Sequence, residues 1–394
     1  MSAAPLRVLI AHNAYQQWGG EDSVVEAESA LLTAHGHVVE RYIRHNNDVG
    51  QLSLPQLALQ TLWSPRTLAD LADLKARFRP DVIHVHNTLP LLSPAVFWAA
   101  HRIGVPVVQT LHNFRWACPQ AMFVREGKVC EDCLGRVPWR GVMHACYRGS
   151  RAQTAVVAAT LTLHKALGTP HKKVDRFIAL NEFCRSKMIE AGLPADRIVI
   201  KPNFVDAPQQ PQWTERVQGL YLGRLTAEKG VGHLMSAWPE VGAAQPLKVV
   251  GGGDLEARVR ATAGVDYLGF KSAAEVAGIL AGVAYMVVPS VWYEGFPRTI
   301  VEAYAAGVPV VASRIGSLAE VVVDGETGLL FNPGDEADLA AKLRWAESHP
   351  AEMVVMGRKA RQLYEQRYSP DQNLRQLLDI YRDAKLDFEN RRFS

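Results

Sequence analysis

The sequence carries almost no surplus charge of either sign. Its 43 Lys and Arg against 40 Asp and Glu leave a formal net charge of +3. That balance argues against nucleic acid as the main partner. The chain also lacks any run of the ~18 uninterrupted apolar residues that a membrane span requires. The nearest approach, Ala152 to Leu167, is broken by Gln153, Thr154, Thr160, Thr162, His164 and Lys165. No basic region precedes the first apolar run in "MSAAPLRVLIAHNAY", so no secretory leader is expected. Internal repeats and low-complexity tracts are missing too. These absences point to a cytoplasmic protein that touches a membrane, if at all, from its inner face. What is present is ordinary for a folded chain: 48% hydrophobic and 21% charged residues. A length of 394 residues allows two domains, each with its own core.

Short β-branched apolar runs alternate with helical patterns. Strands are expected at Arg7–Asn13, His37–Ile43, Asp81–Asn87, Pro106–Asn113 and Arg176–Asn181, apolar on both faces as buried parallel strands are. An amphipathic helix is expected over Asp22–His35, and Arg197–Asp206 closes the first half. The polar, Pro- and Gln-rich stretch Asp206–Gln218 suits an interdomain linker. The alternation then restarts in "GLYLGRL", "PLKVVGGG", "VDYLGF", "AYMVVPS", "VPVVAS" and "TGLLFN". The expected fold class is α/β, with two Rossmann-like, doubly wound domains facing each other across a cleft. The first spans 1–205, with a cysteine-rich insertion near 114–150. The second spans 206–370. Residues 371–394 form a last amphipathic helix, free to cross back to the first domain, with Ser369 as its N-cap and Pro370 at its first position. Ligands of such sheets bind outside the C-terminal strand ends.

In "YEGFPRTIVE", Pro297 fits the first turn of a helix and Gly295 permits a tight approach to it. Unpaired N–H groups at a helix start bind phosphate well. Glu294 then stands just before the helix, and Glu302 about two turns into it. Alone, such a pair reads as two solvated acids on a capped helix. Two further turns accompany it. "YLGRLTAEKG" places Arg224 just after a strand and Lys229 beside Gly230, and two cations there suit a diphosphate. "VVGGGDLE" is a strand followed by a turn through Gly251 and Gly252, which lets backbone approach a nucleotide.

The ordered set "GRLTAEKG", "VVGGGDLE", "EGFPRTIVEAYAAGVPVVAS" and "GETGLLFNPGD" resembles the donor half of glycosyltransferase family 4, retaining enzymes of the GT-B fold. The resemblance covers most of Gly219 to Asp338. The first half is similar more loosely, through "GGED" at Gly19–Asp22, "HVHN" at His84–Asn87 and "TLHNF" at Thr110–Phe114. It implies transfer of a sugar from a UDP- or GDP-linked donor to a glycan or lipid-linked acceptor, in bacterial surface-polysaccharide assembly. Arg224 and Lys229, on the turn opened by Gly223, would hold the diphosphate and stabilise the leaving group. Glu294 would contact the sugar hydroxyls, with Gly295 and the amides at Phe296, Pro297 and Arg298 joining the sugar and phosphate contacts. Glu302 would bind the ribose. His112 would reach across the cleft to the donor sugar, and Gly19–Gly20 would approach the diphosphate from the other domain. Asn203 matches the usual asparagine before the domain crossing. Pre-placed cations and amides stabilise charge on a leaving phosphate, so no metal is called for there. The sequence departs from the family pattern at Asn113, where Asp is common, at Pro297–Arg298, and at Glu21–Asp22 of "GGED".

Of five cysteines, four cluster: Cys118, Cys130, Cys133 and Cys146. "CEDC" with its two flanking thiols has spacings that suit one tetrahedral Zn²⁺, a structural ion ordering a long loop. Buried or free thiols are the alternative, and an iron–sulfur cluster a lesser one. Cys184 is expected in the core. His84 and His86 read as polar groups at a sheet edge rather than as metal ligands. Arg148, Arg151, Lys165, Lys172, Lys173 and Arg176 offer a basic surface for anionic lipid, against the plainer reading of a solvated face. Beside the transferase stand two other readings: a nucleotide-sugar epimerase of the same fold, and a non-catalytic nucleotide-sugar or glycan-binding protein with a zinc-stapled loop.

Overall fold

The structure, a computed structural model, describes residues 4–207, 210, 211, 213 and 216–393. Five residues of the expected linker, Pro208, Gln209, Gln212, Thr214 and Glu215, lie outside the described residues. The chain divides into two compact units. Met1–Met122, Glu131–Lys201 and Leu374–Ser394 form the first; Phe123–Cys130 and Pro202–Asn373 form the second.

The strands in chain order are β1 (Arg7–Ala14), β2 (Val38–His45), β3 (Val82–Val85), β4 (Val107–Leu111), β5 (Val124–Arg125), β6 (Lys128–Val129), β7 (Arg176–Ala179) and β8 (Ile198–Ile200). Then follow β9 (Gly219–Leu222), β10 (Leu247–Val250), β11 (Val265–Gly269), β12 (Tyr285–Val288), β13 (Val310–Ser313) and β14 (Gly328–Phe331). In the first unit the sheet order is β2-β1-β3-β4-β7-β8, with every pair parallel. In the second it is β11-β10-β9-β12-β13-β14, again all parallel. Helices cross between parallel strands and cover both faces, which is why the strands read as unbroken apolar runs. Val8, Leu9, Ile10, Val82, Ile83, Leu220, Met286, Val310 and Val311 are completely or almost completely buried.

Strand order locates the binding crevices. In the first sheet the chain goes outward from β1 to β2 and returns to β3. In the second it goes from β9 out to β11 and returns to β12. Each reversal is a topological switch point, where flanking loops part and leave room for a ligand. The turns after β9 and β12 hold Arg224, Lys229 and Glu294. The turns after β1 and β3 hold Gly19, Gly20 and His86.

Two expectations are corrected. His84 and His86 are not at a sheet edge: β3 lies inside the sheet, and both side chains are buried. Glu302 is one turn into its helix, not two, because that helix runs Arg298–Ala305 with Pro297 as its N-cap. The insertion after β4 holds the small β5–β6 hairpin and a short helix, Trp139–Met143. The final helix, Pro370–Phe393, lies in the first unit from Leu374 onward.

Candidate active site

Lys229 ends a short turn after β9, and its Nζ lies 2.8 Å from each carboxylate oxygen of Glu294. Glu294 follows β12 and is buried. Ser290 donates its hydroxyl to Glu294 Oε1 at 2.5 Å, and Ser317 donates to the Glu294 carbonyl at 2.7 Å. Burial pushes the Glu294 carboxyl up, but Lys229, Ser290 and Arg224 together outweigh it and hold it below the usual range. Glu294 is therefore an oriented carboxylate at neutral pH. The Lys229 ammonium also lies 5.5 Å from the Trp292 ring centre.

The glycines make this approach possible. Gly230 has φ +69°, and a Cβ there would stand 1.8 Å from the Pro289 carbonyl oxygen, so only glycine lets the β9 turn close on the β12 turn. Gly251, at φ +136°, would place a Cβ 1.9 Å from the Gly223 carbonyl oxygen. Gly252 is different: nothing lies within 4 Å of a Cβ added there. The first two are required by the fold, while Gly252 borders open space.

Arg224 projects outward, with a 62% exposed side chain and Glu228 at 3.4 Å. At the start of the Arg298–Ala305 helix, Arg298 Nε lies 3.5 Å from Glu302 Oε1. Burial raises the Glu302 carboxyl, and Arg298 only partly offsets it. The second unit thus brings together Lys229 and Glu294 directly, and pairs Glu302 with the arginine that stands one turn before it.

In the first unit, Gly19 caps the helix Gly20–Ala34, and its N–H donates to Asp22 Oδ2 at 2.8 Å. A Cβ on Gly20 would meet nothing within 4 Å. Asp22 also accepts from His12 at 3.0 Å, and Glu21 accepts from Tyr15 and from Asn113, at 2.9 and 2.7 Å. The residues that depart from the family pattern, Glu21, Asp22 and Asn113, are therefore bound to one another's surroundings rather than free. His112, just past β4, is half-buried and lies 2.8 Å from His86 through Nε2 and Nδ1. Burial, then neighbouring histidines, push both rings well below the usual imidazole range, so both are neutral at pH 7.

Three of the clustered cysteines, Cys118, Cys133 and Cys146, belong to the first unit and Cys130 to the second. None of the four is assigned to a disulfide. Among the described residues, one group of three candidate ligands closes within 4.8 Å, and it is Glu28, His84 and His86. The three thiols of the first unit do not form such a group. The basic residues are also partly committed: Arg176 pairs with Asp387, Lys165 donates to the Ala191 carbonyl, Arg151 to the Met143 carbonyl, and Lys173 lies over Trp98.

Two family models cover the chain in succession. "Glycosyltransferase Family 4" matches residues 18–208, and "Glycosyl transferases group 1" matches residues 216–349. The chain belongs to glycosyltransferase family 4. The glycogen synthase of Mycobacterium tuberculosis is 28% identical over 304 residues, 72% of this chain and 64% of the relative. The chain thus spans a little less than two thirds of that protein's length. The 2-deoxystreptamine glucosyltransferase of Streptomyces kanamyceticus is 27% identical over 324 residues, 78% of either chain. Among solved structures, sucrose-phosphate synthase of Thermosynechococcus elongatus superposes with a TM-score of 0.70 at 20% identity, covering 95% of this chain and 98% of its own. HepE of Anabaena, solved with UDP-glucose, gives 0.67 at 17% identity, with the same two coverages. At those identities the likeness establishes the fold, which is GT-B.

The residues that hold Glu294 in place carry little signal in the linear chain. Ser290 and Ser317, which orient Glu294, look like ordinary loop serines. Glu28 did leave a signal. It sits on the apolar stripe Val24, Val25, Glu28, Leu31, Leu32 of the first helix, where an acid is out of place unless paired. Its partner is Lys201, equally buried, at 2.6 Å.

Proposed function

We propose that this chain is a retaining glycosyltransferase that moves a sugar from a nucleotide diphosphate sugar to a glycan or lipid-linked acceptor in polysaccharide assembly. The observation that carries the reading is the Lys229–Glu294 pair at the switch point between β9 and β12, with Arg224 projecting from the same turn. Lys229 and Arg224 take the diphosphate and stabilise charge on the leaving phosphate. Glu294 accepts from sugar hydroxyls, and Glu302 from the ribose. Gly223, Gly251, Gly252 and the segment Gly295–Arg298 supply backbone to the donor. His112 keeps its role toward the donor sugar, and Gly19 and Gly20 theirs toward the diphosphate. Relatives named as synthases and glycosyltransferases support this over the epimerase and the non-catalytic binder. HepE was solved with UDP-glucose, which makes UDP the first nucleotide to try.

The test is calorimetric titration of UDP, GDP and ADP into the wild-type protein and Lys229→Ala. One nucleotide binding selectively, and only to the wild type, is the expected result. Binding of none would remove the donor site.

For the acceptor, the first unit offers an apolar cavity of ≈ 330 Å³ lined in part by Trp116, Val137, Pro138 and Leu161. Val137, Trp139 and Met143 are 60%, 55% and 56% exposed beside Arg136 and Arg140. Among the described residues, no helix is long and apolar enough to cross a membrane. Those exposed groups support peripheral contact with anionic lipid, for which flotation with anionic vesicles is the check. Structural zinc at Cys118, Cys130, Cys133 and Cys146 is a proposal supported by spacing alone. About one zinc per chain, lost in Cys130→Ser, is what it demands.

A further inference from the structure

Behind His112 the first unit holds a second cluster that the transfer reaction leaves unassigned. Glu28 and Lys201 are both fully buried and joined at 2.6 Å through Glu28 Oε1. The other carboxylate oxygen, Oε2, has no hydrogen-bond partner. Nor does Nε2 of His86. These two unpartnered atoms face each other at 3.8 Å. The opposite nitrogen of His86, Nδ1, lies 2.8 Å from His112 Nε2.

The positions of the heavy atoms constrain the protons. Burial holds the His86 ring neutral, so it carries one N–H. If that hydrogen were on Nδ1, the bare Nε2 lone pair would face a carboxylate oxygen at 3.8 Å, a gap too short to hold a bridging water. Two buried acceptors in that arrangement repel in a medium of low dielectric. With the hydrogen on Nε2, an N–H dipole points at the carboxylate instead. Nδ1 is then the acceptor, and it can accept only from His112 Nε2–H. The same logic operates nearby, where the Asn87 N–H donates to His12 Nδ1 and His12 Nε2 faces Asp22. His112 Nδ1, by contrast, hydrogen-bonds to nothing among the described residues.

We infer that Glu28, through His86, fixes the tautomer of His112, with the proton on Nε2 and the Nδ1 lone pair held ready to accept from a sugar hydroxyl. Glu28 and His86 are positioning residues in this scheme. Lys201 is bound to Glu28 Oε1, and its ammonium argues against a cation among Glu28, His84 and His86. A divalent ion there would meet a buried ammonium whose partner carboxylate is already neutralised. His84 has both nitrogens engaged as well, with Tyr381 and Thr110, each at 2.8 Å.

The inference rests on the proposed role of His112 toward the sugar, and its test separates the two. Ring ¹⁵N spectra of the histidine-labelled full chain read each tautomer directly. The wild type should show His86 and His112 each as a single Nε2–H tautomer. The double variant Glu28→Leu/Lys201→Met removes both buried charges together, the substitution least damaging to a core ion pair. In it, His112 should become a mixture of tautomers, and kcat should fall at least ~10-fold with KM for the donor little changed, since a wrong tautomer costs turnover rather than binding. An Nδ1–H form of His112 in the wild type would overturn the inference, and that spectrum decides even if the double variant does not fold. An unchanged His112 tautomer in the double variant, or a tightly held stoichiometric metal ion removed by Glu28→Leu/Lys201→Met, would overturn it as well. His112→Ala with full turnover would instead remove the sugar role of His112 and leave the tautomer result standing.

Discussion

The ammonium of Lys229 and the carboxylate of Glu294 are bound to each other, at 2.8 Å to both oxygens. Each is proposed to touch the donor, so the pair must be shared with the ligand. Lys229→Ala should therefore have two effects. It removes a phosphate donor, costing at least ~100-fold in rate. It also strands a buried carboxylate, costing about 3 kcal/mol of stability. Arg224→Ala should match the loss of rate without the loss of stability, because that side chain is 62% exposed. Thermal unfolding measured alongside initial rates separates the two variants; equal melting temperatures for both would contradict this reading of the pair.

Glu294→Gln keeps the shape of the side chain and removes its charge. Lys229 is then freed for the diphosphate, and a negative group beside the phosphates is gone. Nucleotide should bind more tightly, by up to ~10-fold, from one lost like-charge interaction. Turnover should drop at least ~100-fold, because the charged acceptor for the sugar hydroxyls is lost. Calorimetry and rate assays of the same preparation check both, and weaker nucleotide binding would be the contrary result.

Two glycine substitutions should behave oppositely. Gly230→Ala forces a Cβ to 1.8 Å from the Pro289 carbonyl oxygen at a positive φ. It should destabilise by more than the ~1 kcal/mol of an ordinary Gly-to-Ala mismatch. Gly20→Ala meets nothing within 4 Å and lies at a helix start. It should leave stability unchanged or slightly raised, while weakening nucleotide binding if the diphosphate approaches there. Chemical denaturation and nucleotide titration of both variants read this contrast.

The buried histidines set the acid limit of the first unit. Burial lowers His84 to about 4 and lowers His86 and His112 as well, whereas the unfolded rings take up protons near pH 6.5. The unfolded state therefore binds more protons below that pH, so stability is complete above ~6.5 and is lost as pH falls toward 4. His84 alone accounts for up to ~3 kcal/mol of that loss. Glu294, with its pKa lowered, adds stability present above its unfolded value of ~4.3 and lost below its folded one. Denaturant midpoints measured from pH 8 to pH 4 should fall steadily below pH 6.5, and His84→Gln should flatten that slope.

Much of this was legible in the linear chain. Alternating apolar runs gave the strands of both sheets because a strand buried on two faces must be apolar throughout. The acid–turn–acid pattern around Gly295 and the cations after "YLG" pointed to the candidate donor site of the second unit, since the residue types that bind phosphate occur at strand ends. Other features were misread. His84 and His86 looked like edge groups because one strand carries no record of its neighbours. The metal that the cysteine spacing suggests stays a proposal, because spacing along the chain does not record how the thiols meet.

The sequence by itself determined the elements and the chemical inventory: which strands form, where their loops start, and which charges those loops carry. Period and turn chemistry are local, and they survive in one dimension. Only the tertiary structure decided partnership. Lys229 and Glu294 are 65 positions apart and Lys201 and Glu28 are 173 apart, and each pair closes to under 3 Å. Buried charges must be neutralised by whatever the fold brings near. Strand order, set by packing over the whole sheet, determines which residues those are.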